Sequence, residues 1–194
     1  MQGKVREQTR NTLEFESTKS KVFLKEERQA VRVHHEREHA QGIQDWIKNS
    51  FKNMPALAVT LTLEQHTGEA AAEAALLQYN KLLDRLAYGQ AAYGRCELRT
   101  FWIKEGGGGS ASHLHYHGVV EVPEGVDDTV FAQQCRAAWQ EKIRVAGKSQ
   151  NTFKPVFDLD GWAKYMTKGR SKGDRLDYLS PHATRLNFAK NTLH

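Results

Sequence analysis

Residues 112–122, Ser-His-Leu-His-Tyr-His-Gly-Val-Val-Glu-Val, alternate strictly between two chemistries. Leu114, Tyr116, Val120 and Val122 fall on one side, and His113, His115, His117 and Glu121 on the other. A period of two is the pattern of a half-buried β-strand. Any fold that accepts this strand must put its apolar face on a core and turn three imidazoles the other way. Alternate positions on a strand lie roughly 6–7 Å apart, so neutral imidazoles there can share one divalent ion. A solvated face rich in histidine has the same pattern, and the strand alone does not separate the two.

The flanking segments supply a topology. Pro55 precedes Ala56-Leu57-Ala58-Val59-Thr60-Leu61-Thr62-Leu63, a strand with four aliphatic residues on one face. Thr67 is placed to cap a helix over about 68–88, whose Leu76, Tyr79, Leu83 and Leu86 recur at helical spacing before Gly89 ends it. A second strand is expected from about Tyr93 to Glu105. The Gly106–Gly109 run with Ser110, Ala111 and Ser112 then joins it to the histidine strand as a hairpin loop. No Gly-Lys-Ser/Thr follows these glycines, so they are not a phosphate-binding loop. Asp127 or Asp128 caps a helix to about Val145 with Phe131, Cys135, Ala138, Trp139 and Ile143 inward. Residues 151–158 make a fourth strand, placed at an edge by Pro155. A last helix carries Trp162 to Lys168.

The order β-α-β-β-α-β predicts an α+β, ferredoxin-like sandwich: an antiparallel sheet with both helices on one face and the other face free for a site. Three regions are expected. Residues 1–52 form a charged N-terminal arm and helical extension, helical over 24–52, with 11 Lys and Arg against 8 Asp and Glu. Residues 53–170 form the domain. Residues 171–194 form a basic tail. Over the 194 residues the net charge is +5, which suits a polyanionic partner such as nucleic acid. Two cysteines, Cys96 and Cys135, are too few for a disulfide framework, and a reducing cytoplasm is the expected setting. No stretch approaches 18 apolar residues and the first ten are polar, so neither a membrane span nor a secretion signal is expected.

Glu105 and His113 flank the loop. If they pair across the hairpin, positions summing to 218 share a face, and Glu105 and Glu97 both lie on the histidine side. Two imidazoles and a carboxylate leave coordination positions open, as a catalytic metal site requires. Glu105 is preferred as the third ligand because it lies nearer the histidines. Tyr165 and Lys168 sit three apart on one helix and share a face. A lysine and a metal-bound phosphate both favour the phenolate that a tyrosine nucleophile needs. A tyrosine lying along a helix surface fits the same spacing.

His115-Tyr116-His117-Gly118 resembles the His-hydrophobic-His motif of the HUH endonucleases, and among them the rolling-circle replication initiators (Rep proteins) of plasmids and phages. Lys164-Tyr165-Met166-Thr167-Lys168 is similar to their Tyr-x-x-Lys motif. Ala58-Val59-Thr60-Leu61-Thr62-Leu63 resembles their first and least specific motif. The three occur in family order over about residues 56–169. The resemblance implies that His115 and His117, with an acidic residue, hold Mg²⁺ or Mn²⁺ against the scissile phosphate of single-stranded DNA. It implies that Tyr165 attacks and becomes joined to the 5′ phosphate, that Lys168 helps place the phosphate or metal, and that the freed 3′ OH primes synthesis at an origin hairpin. Lys164, Arg99, Trp162 and Lys172 are the candidate DNA contacts. His113 offers a second pair, His113-Leu114-His115, but Gly118 and the aliphatic run favour 115 and 117. No helicase motif is present, so unwinding and synthesis would fall to the host's helicase and polymerase.

Other readings use the same residues. A transposase of the same superfamily is the nearest, and a non-catalytic single-strand-binding module is the next. His35-Glu36-Arg37-Glu38-His39 also spells the His-Glu-x-x-His of zinc peptidases. Its neighbours Arg32, Gln41 and Gln44 are not the flank of a buried active-site helix, and no convincing Met-turn follows.

Overall fold

A computed structural model describes residues 2–90, 96–106, 114–168 and 179–186, and along the first helix the side chains from Arg28 onward. The protein is α+β, with four helices and one four-stranded antiparallel sheet. The elements run α1 (Gln2–Phe51), β1 (Ala56–Thr62), α2 (Glu69–Tyr88), β2 (Thr100–Glu105), β3 (His115–Glu121), α3 (Asp128–Lys142), β4 (Thr152–Pro155) and α4 (Leu159–Met166). The sheet order is β2-β3-β1-β4, so the histidine strand β3 is interior and β4, with Pro155, is an edge. No helix among the described residues is long and apolar enough to cross a membrane.

The alternating patterns sort the sheet into two faces. Leu57, Val59, Leu61, Trp102, Tyr116 and Val120 pack beneath α2 and α3, against Leu76, Tyr79, Leu83, Phe131, Cys135 and Trp139. Aliphatic and aromatic side chains at every second strand position and at helical spacing meet here, and excluding water from them drives this layer together. The Tyr79 hydroxyl, buried in it, donates to the Cys135 carbonyl at 3.0 Å. The caps are partly those expected. Asp127 accepts from the Val130 N–H, whereas Gly68 rather than Thr67 opens α2, and the Thr67 hydroxyl instead donates to the Glu64 carbonyl. Gly89 closes α2 at φ 74, a conformation that glycine enters without steric cost.

The opposite face differs from the sequence expectation. It is not free: Ile47 and Phe51 at the end of α1, and Ala163 and Met166 of α4, bury Ala56, Phe101, Ile103 and Val119. The charged composition of α1 hid this, because only its last turns carry the apolar stripe. The helix also reaches further than expected, beginning at Gln2 rather than near residue 24. Lys48 ties it to α4 through Asp160 at 3.7 Å, and Gln44 donates to the Thr167 hydroxyl.

The expected basic tail is in part a structural strap. The backbones of Thr100 and Arg185 exchange two hydrogen bonds along the outer edge of β2, Ser180 N–H donates to the Trp102 carbonyl, and Arg185 pairs with buried Asp84 at 2.7 Å. An exposed strand edge is thereby covered.

Candidate metal centre and tyrosine site

Three strands converge on His117. In the β2–β3 ladder Glu105 lies opposite His115 and Ile103 opposite His117, so paired positions sum to 220. The expected sum of 218 was two residues out. A slip of two positions preserves the face, and Glu105 still lies on the histidine side. Glu105 Oε2 is 3.0 Å from His117 Nε2 and 3.5 Å from His115 Nε2. These three side chains place one donor atom each within 4.8 Å of one another, and they are the sole such group of three among the described residues. Two imidazole nitrogens and a carboxylate oxygen form a donor set that can hold a metal ion.

The local sequence explains how β3 sets its two histidines. Gly118 lies opposite Trp102, and a Cβ there would overlap the Trp102 ring. The missing side chain leaves room for the Trp102 indole, which lies in the core beneath α2 and α3. Tyr116, between the two histidines, points to the helical face and donates to Glu73 at 3.3 Å. Glu73 also accepts from the Ser180 hydroxyl of the strap. Burial, and then the Glu73 carboxylate, push the Tyr116 phenol well above its usual range.

His117 is almost fully buried, and His115 is partly open. Burial and the neighbouring His115 hold the His117 imidazolium down to a pKa of about 4, outweighing the pull of Glu105 in the other direction. A neutral imidazole is the form that ligates metal. Its Nδ1 lies 3.1 Å from the Thr60 hydroxyl on β1, where Thr60 is its cross-strand partner.

Helix α4 carries the tyrosine to this centre. Asp158 caps it by accepting from Gly161 N–H. Trp162 Nε1 donates to the Gly118 carbonyl at 3.0 Å and docks the helix on β3. The Trp162 and Tyr165 rings stack, with centroids 5.1 Å apart and planes 16° apart. Tyr165 meets the His117 ring edge-on at 5.1 Å, yet remains 43% exposed. Lys168 Nζ sits 4.0 Å over the Tyr165 ring and 3.7 Å from Glu105 Oε2.

Of the residues singled out in the sequence, Glu105, His115, His117, Trp162, Tyr165 and Lys168 thus come together. Lys164 is exposed on α4. Arg99 does not join them. It precedes β2 at the far end of the strand, about 20 Å away at strand spacing, and donates to the Ser50 carbonyl at the end of α1. Glu97, itself exposed, also precedes β2 outside the ladder and is not part of the candidate metal-binding group. His113 and Lys172 lie outside the described residues. His35 and His39 stand on exposed turns of α1, where Glu38 reaches His34 and His35 at 3.3 and 3.6 Å. Thr60 was passed over in the sequence. Its signal was there, because it alternates with Leu57, Val59 and Leu61 and so faces the histidines.

Comparison with family models, with curated proteins and with solved structures finds no match to this chain.

Proposed function

We propose that the protein is an HUH-type endonuclease on a ferredoxin-like sandwich, which nicks and rejoins single-stranded DNA and initiates rolling-circle replication. The observation that carries this reading is the contact of Tyr165 with the ligand His117, under an ammonium group that also reaches the ligand Glu105. A tyrosine, a lysine and a His-His-Glu donor set within a few ångströms are the parts that a phosphoryl-transfer site needs. The strand order with α2 and α3 on one face supports the fold assignment.

His115, His117 and Glu105 would hold a divalent cation, Mg²⁺ or Mn²⁺, which when bound offsets the negative charge of the scissile phosphate. The chain's own groups do the rest. Lys168, with its ammonium over the Tyr165 ring and near Glu105, is placed to help position the phosphate as a compact point charge. The phenolate oxygen attacks phosphorus, its proton having passed to solvent, and the bond to the 3′ oxygen breaks. That oxygen leaves, takes a proton and becomes a free 3′ OH. The 5′ phosphate stays on Tyr165 as a phosphodiester. Attack by a 3′ OH reverses each of these changes and rejoins the strand. Burial of His117 and the stacked Trp162 keep the tyrosine oriented, and its 43% exposure leaves it within reach of DNA.

The test is a denaturing gel of protein mixed with a diverse single-stranded DNA pool and Mn²⁺. The expected result is an SDS-resistant adduct that needs the metal and disappears with Tyr165→Phe and with His117→Ala. An adduct that survives Tyr165→Phe, or none across the pool, would overturn the reading.

A further inference from the structure

Both histidines of the centre are set on β3, and the second nitrogen of His117 meets a hydroxyl of β1. We infer that Thr60 is a positioning residue for the metal centre: its hydroxyl orients the His117 ring and selects Nε2 as the ligand atom. The inference rests on the metal-binding reading above. It gives the alternating Thr-Leu strand β1 a task beyond packing.

The geometry is specific. Thr60 is paired with His117 across the ladder, its Oγ1 is 3.1 Å from Nδ1, and Nε2 faces Glu105 Oε2 at 3.0 Å. An ionised carboxylate has no proton to give, so without a cation the proton between these two groups sits on Nε2, and Nδ1 accepts from the Thr60 hydroxyl. A cation bound to Nε2 needs that lone pair. The ring then carries its proton on Nδ1, and the same hydroxyl, which can rotate, accepts it. A threonine serves both states, whereas a carbonyl oxygen or an amide N–H at the same place would serve only one. Partners of this kind raise ligand basicity and fix the ring, and their loss typically costs 10–100-fold in metal affinity. The neighbouring Thr62 does not share the task. It lies opposite His115, but its hydroxyl goes to the Ser149 carbonyl and to Asn151.

The experiment uses the full chain. Mn²⁺ affinity is measured by calorimetry for wild type, Thr60→Val, Thr60→Ser and His117→Ala, with thermal unfolding as the control for fold. In parallel, nitrogen-15 NMR reads the His117 ring tautomer of the Mg²⁺-loaded wild type. Thr60→Val should weaken Mn²⁺ about tenfold or more, Thr60→Ser should restore it, and the loaded wild type should carry its proton on Nδ1. Equal Mn²⁺ affinity in wild type and Thr60→Val overturns the role of Thr60 and leaves the metal reading standing. A proton on Nε2 in the loaded wild type also overturns it, even where the valine variant fails to fold. No Mn²⁺ uptake by wild type overturns both.

Discussion

Trp162 lies flat against Tyr165, ring planes 16° apart, and its indole N–H is anchored on the carbonyl of Gly118, the residue after His117. The tyrosine is therefore registered to the histidine strand β3 through one side chain. Trp162→Phe keeps an aromatic surface but loses the anchor. The rate of adduct formation should fall about tenfold, near 1.4 kcal/mol of barrier, with DNA affinity little changed. A tryptophan that served only to stack a base would show the reverse: lower affinity with Trp162→Ala and an unchanged rate with Trp162→Phe.

Glu105 is the acidic member of the centre and touches His115, His117 and Lys168. Glu105→Gln keeps the shape and removes the charge. Mn²⁺ affinity should drop by at least about tenfold, measured by calorimetry, and metal-dependent cleavage should drop with it. Glu97→Gln, outside the ladder, should leave both unchanged.

The low pKa of His117, about 4 against an ordinary 6.5, makes stability depend on pH in the metal-free protein. Between these values the unfolded chain takes up a proton that the folded chain refuses. Stability therefore falls as pH drops from 6.5 towards 4, by roughly 3 kcal/mol at most. Urea unfolding at pH 7 and pH 4.5 measures the loss. His117→Gln should reduce the difference between the two, and a difference of the same size in the variant would assign it to other groups.

Gly118 has no room for a methyl group, since the Trp102 ring occupies the space. Gly118→Ala should destabilise the fold by ~1–3 kcal/mol through overpacking, read as a lower Tm. An unchanged Tm would mean that Trp102 swings aside at no cost.

Much of the fold was legible because alternation and helical spacing report local structure directly. Residues 56–62 and 115–121 show a period of two, and both faces point as expected. The register of the hairpin was not legible. The length of a glycine-rich loop does not specify where pairing starts, and the count from Glu105 came out two residues wrong while keeping the correct face. Long-range packing was hidden too. Ile47 and Phe51 look like sparse apolar residues on a charged helix until α4 and Phe101 meet them. Arg99 reads as a free cation in a basic chain, yet the end of α1 accepts its hydrogen bond. The candidate site was more legible than these, because its chemistry needs particular residues at spacings that strands and helices fix: two histidines two apart, and a tyrosine and a lysine three apart.

The most direct measurement is the identity of the atom that carries the DNA. Adduct formed with single-stranded DNA and Mn²⁺ is digested with nuclease and protease, and the modified peptide is sequenced by mass spectrometry. The account requires a nucleotide joined through its 5′ phosphate to Tyr165, in the peptide ending at Lys168. A nucleotide on any other residue, or a 3′ phosphate linkage, would contradict it.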